Sequence, residues 1–348
     1  MVAADPNQVM ASTVASTLLG VVVDRADRIA NRGRNSRIYR IRSGGQSFAL
    51  KQYPSRQDDP RDRLQAEADA LRLMEHSHID CVPRVVAMDR QESWLLITWI
   101  EGSPVDNADE GDIDAADQFL SAVHTLRDTP EAQCLPLAAE ACLSGAEIER
   151  QIRQRLGRLN TRRTSDQELG MFLESSFIPA LDRVLQRVAS KISAIGIAYD
   201  AVLPRTVQSL IPADFGFHNS LRQPDGSLVF LDFEYFGWDD PVKLAADFLL
   251  HPGMTLAPAA RGRFRLAAER RHAHDLFFTN RLDALLPLFG LRWVLILLNE
   301  FLPERWESRV KAGAAASWTE EKRRQLIQAR ELLGHISSAT EGHPGDAF

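Results

Sequence analysis

Cysteine is scarce in this sequence of 348 residues, which contains only Cys81, Cys134 and Cys142. An odd, sparse set without Cys-x-x-Cys spacing predicts neither a disulfide framework nor a zinc site. The nine histidines are scattered, and the i, i+2 spacing of His272 and His274 does not place two ligands on one helix face. We therefore expect reduced thiols in a cytoplasmic protein, and we interpret these two histidines as polar surface residues.

The sequence also lacks an excess of positive charge and a long apolar run. It has 41 basic against 47 acidic side chains, a formal net charge of −6. Proteins that wrap nucleic acid or lie on anionic membranes normally have the opposite sign. The longest early apolar run, residues 14–23, is interrupted by polar residues and is too short to span a bilayer. We expect no nucleic acid and no membrane as partner, and no targeting signal or transmembrane helix.

Extended segments and turns dominate the first hundred residues. The turn Ser43-Gly44-Gly45 is typical of a hairpin, because glycine adopts positive φ at no steric cost. Leu64 and Leu71 have helical spacing within a charged stretch. The predicted order is strand, strand, helix, strand, strand, at residues 37–42, 46–53, 60–75, 82–88 and 93–100. This order predicts a small antiparallel sheet with one helix against it.

Helical patterns dominate the rest of the chain. Long helical segments are predicted at 115–126, 146–159 and 168–195, and residues 291–301 form the most apolar late stretch. A chain of this length suits two lobes better than one compact core. We predict an α+β fold with an N-terminal lobe at residues 1–100 and a larger, mainly helical lobe at residues 101–348.

Three polar residues have a spacing that points to chemistry. Asp214 and Asn219 lie five positions apart, and Asp232 follows Asn219 by thirteen positions, after an apolar strand. Each residue alone is as well interpreted as a turn former. Together they resemble the catalytic loop and metal-binding segment of the protein-kinase-like superfamily, in its aminoglycoside phosphotransferase and choline kinase branch. The resemblance covers the chain from about Asn31 to Leu250.

The resemblance implies phosphoryl transfer from ATP with Mg²⁺. This reaction needs a carboxylate that positions the attacking hydroxyl and accepts its proton, and oxygen ligands for the Mg²⁺ that bridges the phosphates. Asp214 would take the first role, and Asn219 and Asp232 would bind the metal. The resemblance also implies a protein-kinase-like, two-lobed fold.

The tripeptide Asp214-Phe215-Gly216 allows a different assignment, because it spells the metal-binding tripeptide of protein kinases. In that case a catalytic Asp, followed by Asn five positions later, should lie about eighteen residues upstream. The nearest candidate is Asp200, whose fifth follower is Arg205. The spacing therefore favours Asp214 as the catalytic residue.

The sequence departs from the family at two points. The family usually has His two positions before the catalytic Asp, where this chain has Pro212. The family also often has Asp three residues after a proline that corresponds to Pro241, where this chain has Leu244. Asp247, three residues further on, is our candidate for the buried acceptor that holds the catalytic loop. The sequence therefore leaves open which residue supports the catalytic loop.

Lys51 and Glu67 are the candidates for the charged pair of the N-terminal lobe. Strand alternation places Ala49 and Lys51 on one face, which leaves room for an adenine ring beside a cation for the phosphates. Glu67 lies between Leu64 and Leu71 on the apolar face of the predicted helix. A buried carboxylate needs a cation, and the resemblance makes Lys51 its partner. An exposed strand-edge charge is the alternative for a lone lysine.

Two further segments are candidates for nucleotide contacts. Gly33 and Ser36 lie in a polar turn where the resemblance expects a phosphate-covering loop, and an ordinary turn is nearly as good an interpretation. Trp99 and Ile100 lie where the lobes should be hinged, and their backbone would hydrogen-bond adenine.

The acceptor is a hydroxyl of a small molecule whose identity the sequence does not give. Phe236 and Trp238 follow the predicted metal ligand and form either a wall for a cationic acceptor or packing beneath the loop. His124 and His218 are interpreted as structural. The alternatives are a protein Ser/Thr kinase, which the missing Ala-Pro-Glu segment disfavours, and a catalytically inactive nucleotide-binding protein. We expect a monomer or dimer.

Overall fold

The structure is a computed structural model that describes residues 6–29, 36–54, 59, 61–312 and 317–341. Gly33, a predicted nucleotide-binding residue, lies outside the described residues.

Within the described part, five antiparallel strands form a sheet in the order β1-β2-β3-β5-β4. The strands are β1 (Arg25–Arg28), β2 (Arg37–Ser43), β3 (Gln46–Gln52), β4 (Val85–Asp89) and β5 (Trp94–Thr98). Gly44 and Gly45 connect β2 to β3 with φ values of 56° and 80°, as the predicted hairpin turn requires. Helix α2 (Arg63–His76) begins after Asp62, whose carboxylate accepts the Gln65 N–H at 3.2 Å.

Helix α1 (Pro6–Leu19) was not expected in the first hundred residues. It covers the sheet with Ala11 and Ala15, which are fully buried beside Tyr39 and Trp94. Small residues allow the helix to approach the strands closely, and they give the segment no clear apolar periodicity. The predicted order of one helix among the strands of the first hundred residues therefore missed this first helix.

The remainder is mainly helical, with short strands between the helices. The helices are α3 (Glu110–Thr125), α4 (Pro130–Gln133), α5 (Gly145–Asn160), α6 (Gln167–Phe172), α7 (Ile178–Ala194), α8 (Pro241–Leu250), α9 (Pro258–Arg271), α10 (Phe278–Leu297), α11 (Pro303–Ala312) and α12 (Trp318–Glu341). The strands are β6 (Ser103–Pro104), β7 (Ser209–Ile211), β8 (Ser220–Arg222), β9 (Leu228–Phe230) and β10 (Gly237–Asp239). Strand β8 pairs with both β6 and β9, and β7 pairs with β10.

Helix α10 lies at the centre of the helical region and packs against α5, α7, α8 and α12. Within the described residues, one helical stretch, Phe278–Phe301, is long and apolar enough to cross a membrane. However, 78% of its apolar window is buried inside the protein. Its hydrophobic character is accounted for by its position in the core.

An aromatic layer supports the segment between β7 and β10. The Phe119 ring stacks on Phe230 at a centroid distance of 4.6 Å and on Phe215 at 5.5 Å. Phe248 of α8 stacks on Phe215 from the other side at 5.9 Å. Because interiors are closely packed, these rings restrict the backbone that contains Asp214.

Candidate active site

Lys51, Glu67 and Asp232 converge from three separate elements. Lys51 Nζ lies 2.6 Å from Glu67 Oε2 and 2.9 Å from Asp232 Oδ1. Lys51 lies on β3, Glu67 on α2, and Asp232 just beyond β9. The lysine and the second carboxylate are separated by 181 positions in the sequence. Only the tertiary fold brings these three charges together.

Burial makes this cluster electrostatically strong. Lys51 and Glu67 are 4% and 1% exposed, whereas the Asp232 side chain is 30% exposed. Burial by itself lowers the pKa of Lys51, but the carboxylates of Asp232 and Glu67 outweigh it and raise the pKa well above its usual value. Lys51 is therefore a cation with one buried and one accessible carboxylate beside it.

Tyr53, Arg63 and Glu234 extend the cluster, and no sequence pattern marked them as part of it. The Tyr53 hydroxyl donates a hydrogen bond to Glu67. Arg63 Nη1 donates to Glu234 Oε1 at 2.8 Å, and both side chains are buried. Arg63 also pairs with Asp59. The Arg63–Glu234 ion pair fixes the start of α2 against the chain just beyond Asp232. The local sequence signal for these contacts is the i, i+4 spacing of Asp59 and Arg63.

Asp214 lies in a constrained loop between β7 and β8. The preceding residue, Ala213, has a φ of 62°, which an L-residue with a side chain rarely adopts. His218 Nε2 lies 3.3 Å from Asp214 Oδ1, and His251 Nε2 lies 3.6 Å from the same oxygen. Burial by itself raises the pKa of Asp214, but the two imidazoles outweigh it and hold the pKa well below its usual range. Asp214 is therefore ionised at neutral pH.

Asn219 lies next to both Asp214 and Asp232. Its Nδ2 donates to the Asp214 carbonyl oxygen at 2.9 Å and lies 3.4 Å from Asp214 Oδ2. Its own carbonyl oxygen accepts the Leu231 N–H at 2.8 Å, which places Asn219 beside Asp232. Asp232 has a φ of 69°, a second strained position in the site. The loop and the segment after β9 are therefore fixed to one another.

The predicted hinge follows β5. Trp99 and Ile100 are half-buried, and the Arg40 guanidinium lies 4.5 Å from the Trp99 ring centroid. At Gly102 a Cβ atom would lie 2.7 Å from the Arg222 carbonyl oxygen, so only glycine allows the chain to pass β8 this closely. Ser36, at the start of β2, is 7% exposed.

Two expectations about individual side chains are decided by burial and contacts. Phe236 and Trp238 are 3% and 1% exposed and belong to the hydrophobic core, which agrees with the packing alternative and not with an acceptor wall. Asp247 contacts Lys243 Nζ at 2.9 Å and Trp293 Nε1 at 2.8 Å. These contacts do not include the backbone of the catalytic loop, so that suggestion was wrong.

His272 is a further correction, because it is buried and not a surface residue. It follows α9 in a turn, where helical spacing does not apply, and its ring meets His124 edge-on at a centroid distance of 4.7 Å. His274 joins this cluster. The Arg127 guanidinium donates to His274 Nε2 at 2.8 Å, so an arginine cation already occupies one ring nitrogen of this cluster.

Cavities are found at two places among the described residues of the helical part. The one beside the catalytic loop has a volume of about 250 Å³ and is lined by residues 104–106, Ala108, Phe217, His218 and residues 253–256. The other, of about 570 Å³, is lined by α5, the segment before it and Val202. Its lining includes none of the predicted catalytic or nucleotide-binding residues. The smaller cavity is therefore the one that borders Asp214, through His218.

Comparison with a model of the phosphotransferase enzyme family (APH) gives a match over residues 28–277. A search of curated protein sequences finds no match.

Solved structures show the same fold at low sequence identity. A choline kinase from Streptococcus pneumoniae is 13% identical with a TM-score of 0.61, over 95% of this chain and 99% of that chain. A spectinomycin phosphotransferase, solved with ADP and spectinomycin, is 10% identical with a TM-score of 0.59, over 96% and 99%. A choline kinase from Cryptosporidium parvum is 11% identical with a TM-score of 0.57, over 91% and 90%. These matches confirm the predicted kinase-like α+β fold.

Proposed function

Since the chain belongs to the phosphotransferase enzyme family and is an enzyme of the kinase type, we propose that it transfers the γ-phosphate of ATP to a hydroxyl group of a small molecule. One observation supports this most strongly, namely the contact of Lys51 with both Glu67 and Asp232. This arrangement places a fixed cation next to an accessible carboxylate, as phosphate binding with a metal requires.

Asp214 is the proposed base. The acceptor hydroxyl oxygen forms a bond to the γ-phosphorus while the bond to the β,γ-bridging oxygen breaks, and ADP leaves with that electron pair. The hydroxyl proton passes to the Asp214 carboxylate. His218 and His251 face Oδ1, so Oδ2 is the oxygen that we assign to the hydroxyl. The strained backbone at Ala213 fixes the direction of this carboxylate.

Lys51 and the hinge would bind the nucleotide. Lys51 would contact the α- and β-phosphates while Glu67 neutralises it from behind, and the backbone of Trp99 and Ile100 would bind adenine. We assign Ser36 and Gly33 to the cover over the phosphates. The division into lobes at residue 100 belongs to the same proposal, with ATP between the two parts.

Asn219 and Asp232 fit Mg²⁺ by the chemistry of their donor atoms. Mg²⁺ prefers hard oxygen ligands, and these residues offer one amide oxygen and one carboxylate. Asp232 is accessible on one side, and the hydrogen bond from Leu231 to Asn219 keeps the two residues adjacent. Held by these two residues, Mg²⁺ would supply positive charge that offsets the negative charge developing on the phosphates.

Asp232→Ala should weaken binding of Mg²⁺-ATP much more than binding of metal-free ATP, because the carboxylate serves the metal. Calorimetric titrations with and without Mg²⁺ on both proteins measure this difference. Asp225→Ala, in the exposed turn between β8 and β9, is the matched control and should bind both forms normally. Equal losses with and without Mg²⁺ would show that Asp232 only shapes the turn.

The acceptor is proposed to bind in the cavity beside His218. Its volume of about 250 Å³ suits a small hydroxyl compound. We place the protein in the cytoplasm, where its three unpaired cysteines would stay reduced, as a monomer or dimer without nucleic-acid or membrane partners.

A screen of acceptors by ADP release tests this function. The library should contain aminoglycosides, simple sugars, choline-like alcohols, hydroxy amino acids and a protein with accessible Ser and Thr residues. ADP release that depends on one acceptor supports the proposal. ATP binding without turnover on any acceptor favours the inactive nucleotide-binding alternative. Turnover only with a protein acceptor favours the protein kinase.

A further inference from the structure

The catalytic loop of this chain lacks the histidine that usually braces it, since Pro212 stands two positions before Asp214. A turn that follows α8, residues 251–254, lies against the loop instead. We propose that His251 is a positioning residue for Asp214 and that the turn 251–254 holds it in place. This inference rests on the proposed function, because it assigns Asp214 a role in the reaction.

The position of the proton on the His251 ring follows from its neighbours. The Gly253 N–H donates to His251 Nδ1 at 3.0 Å, so Nδ1 is the acceptor. The proton of the neutral ring is then on Nε2, the atom that faces Asp214 Oδ1 at 3.6 Å. This distance exceeds that of a formed hydrogen bond, and such contacts often shorten when substrate binds. Burial lowers the pKa of His251, which favours the neutral ring.

His251 also fixes the second imidazole that faces Asp214. The His218 and His251 rings are parallel within 3°, with centroids 3.8 Å apart. His218 Nε2 donates to the same carboxylate oxygen at 3.3 Å. The stacked rings therefore keep both Nε2 atoms near one oxygen of the Asp214 carboxylate.

The turn and the loop interlock at glycines. A Cβ atom on Gly253 would lie 3.0 Å from His251 Nδ1 and 2.9 Å from its Cε1. A Cβ atom on Gly216, in the loop, would lie 2.6 Å from Met254 Sδ. The Phe217 N–H, one residue further, lies 3.2 Å from the same sulfur. The absence of a side chain at Gly216 therefore allows the loop to approach the turn, and its absence at Gly253 leaves room for the His251 ring within the turn.

The other side of His251 is closed by Trp293 of α10. Their rings meet edge-on at a centroid distance of 4.7 Å, and the Trp293 indole donates to Asp247 Oδ1 at 2.8 Å. Asp247 thus acts on the site through Trp293 and His251. A continuous series of contacts therefore connects the buried carboxylate of Asp247 to the proposed catalytic carboxylate of Asp214.

Two substitutions of His251 test the role of its N–H donor and the role of its ring separately. His251→Phe keeps a ring that can stack on His218 but removes the donor, whereas His251→Gln keeps an N–H donor and removes the ring. We expect kcat of the phenylalanine variant to fall by roughly tenfold to a hundredfold, as for a misplaced catalytic group. KM and Kd for ATP should stay near wild type. The glutamine variant should recover part of kcat.

His335→Phe, an exposed histidine on α12, is the matched control and should keep full activity. Thermal melting of each variant verifies that it is folded. Wild-type kcat in the folded His251→Phe variant would overturn the proposal. Equal loss in kcat and in ATP affinity would overturn it as well, because a general structural defect predicts that result.

A measurement without turnover separates this inference from the proposed function. ¹⁵N NMR of the imidazoles should show His251 protonated at Nε2, and Asp214→Asn should shift that resonance. His251 protonated at Nδ1, or unaffected by Asp214→Asn, would overturn the inference even if the enzyme is active. Absence of activity on every acceptor counts against the proposed function and leaves the NMR result to decide the contact.

Discussion

Asp214→Asn should reduce turnover by on the order of a hundredfold or more, as for loss of a positioned general base. The substitution nearly preserves the shape of the side chain but removes the carboxylate that would accept the hydroxyl proton. Affinity for ATP should stay close to that of the wild-type protein, since the carboxylate contacts His218 and His251, and the 2.9 Å hydrogen bond from Asn219 goes to the Asp214 backbone carbonyl, which the substitution keeps. Steady-state kinetics and calorimetric titration with Mg²⁺-ATP measure both quantities.

Asp200→Asn is the control for this experiment, because the alternative assignment of the Asp-Phe-Gly tripeptide would make Asp200 the catalytic residue. Asp200 is exposed, and we expect its variant to retain full turnover. Near-wild-type turnover of Asp214→Asn would show that the catalytic assignment is wrong. A selective loss of Mg²⁺-ATP affinity in Asp214→Asn would instead favour the assignment of Asp214 as a metal ligand.

The second large effect concerns Lys51 and Glu67. Lys51→Met and Glu67→Gln should each depress turnover strongly, since either change removes the ion pair that fixes the cation. The double variant should lose much less than the sum, with a coupling free energy of roughly 0.5–3 kcal/mol. In the single lysine variant Glu67 keeps its hydrogen bond from Tyr53, and because burial raises the pKa of Glu67 we expect it to take up a proton and not to stay as an unpaired buried charge.

Asp69→Asn, on the same helix, supplies the control for the double-mutant cycle. Asp69 accepts a hydrogen bond from Gln65 one turn earlier, so its loss should leave turnover unchanged. Strict additivity of the Lys51 and Glu67 effects would contradict a functional pair. Thermal melting of the wild-type protein, the two single variants, the double variant and Asp69→Asn distinguishes lost activity from lost folding.

The sequence predicted those parts of the fold that local patterns determine. The β2–β3 hairpin followed from two glycines, and the inward face of α2 followed from the spacing of Leu64 and Leu71 around Glu67. Both depend on residues near one another in the chain. Helix α1 was missed because its buried residues, Ala11 and Ala15, are small and weakly hydrophobic.

Contacts between residues far apart in the sequence were harder to predict. The pairing of Lys51 with Glu67 was expected only through the resemblance, and the structure brings the two residues together. The Arg63–Glu234 pair spans 171 positions and has no local pattern. His251 lies in a turn beyond α8, and neither its spacing nor its type marks it. Tertiary packing alone determines which of these side chains reach the site.

The central claim is most directly tested by following the terminal phosphate of ATP labelled with ³²P at the γ position. With the acceptor found by the ADP-release screen, the label should appear in a covalent phosphate ester of that compound. The Asp214→Asn variant should form this product at least about a hundredfold more slowly. Label that appears only as inorganic phosphate, at the same rate in both proteins, would contradict the assignment of a kinase.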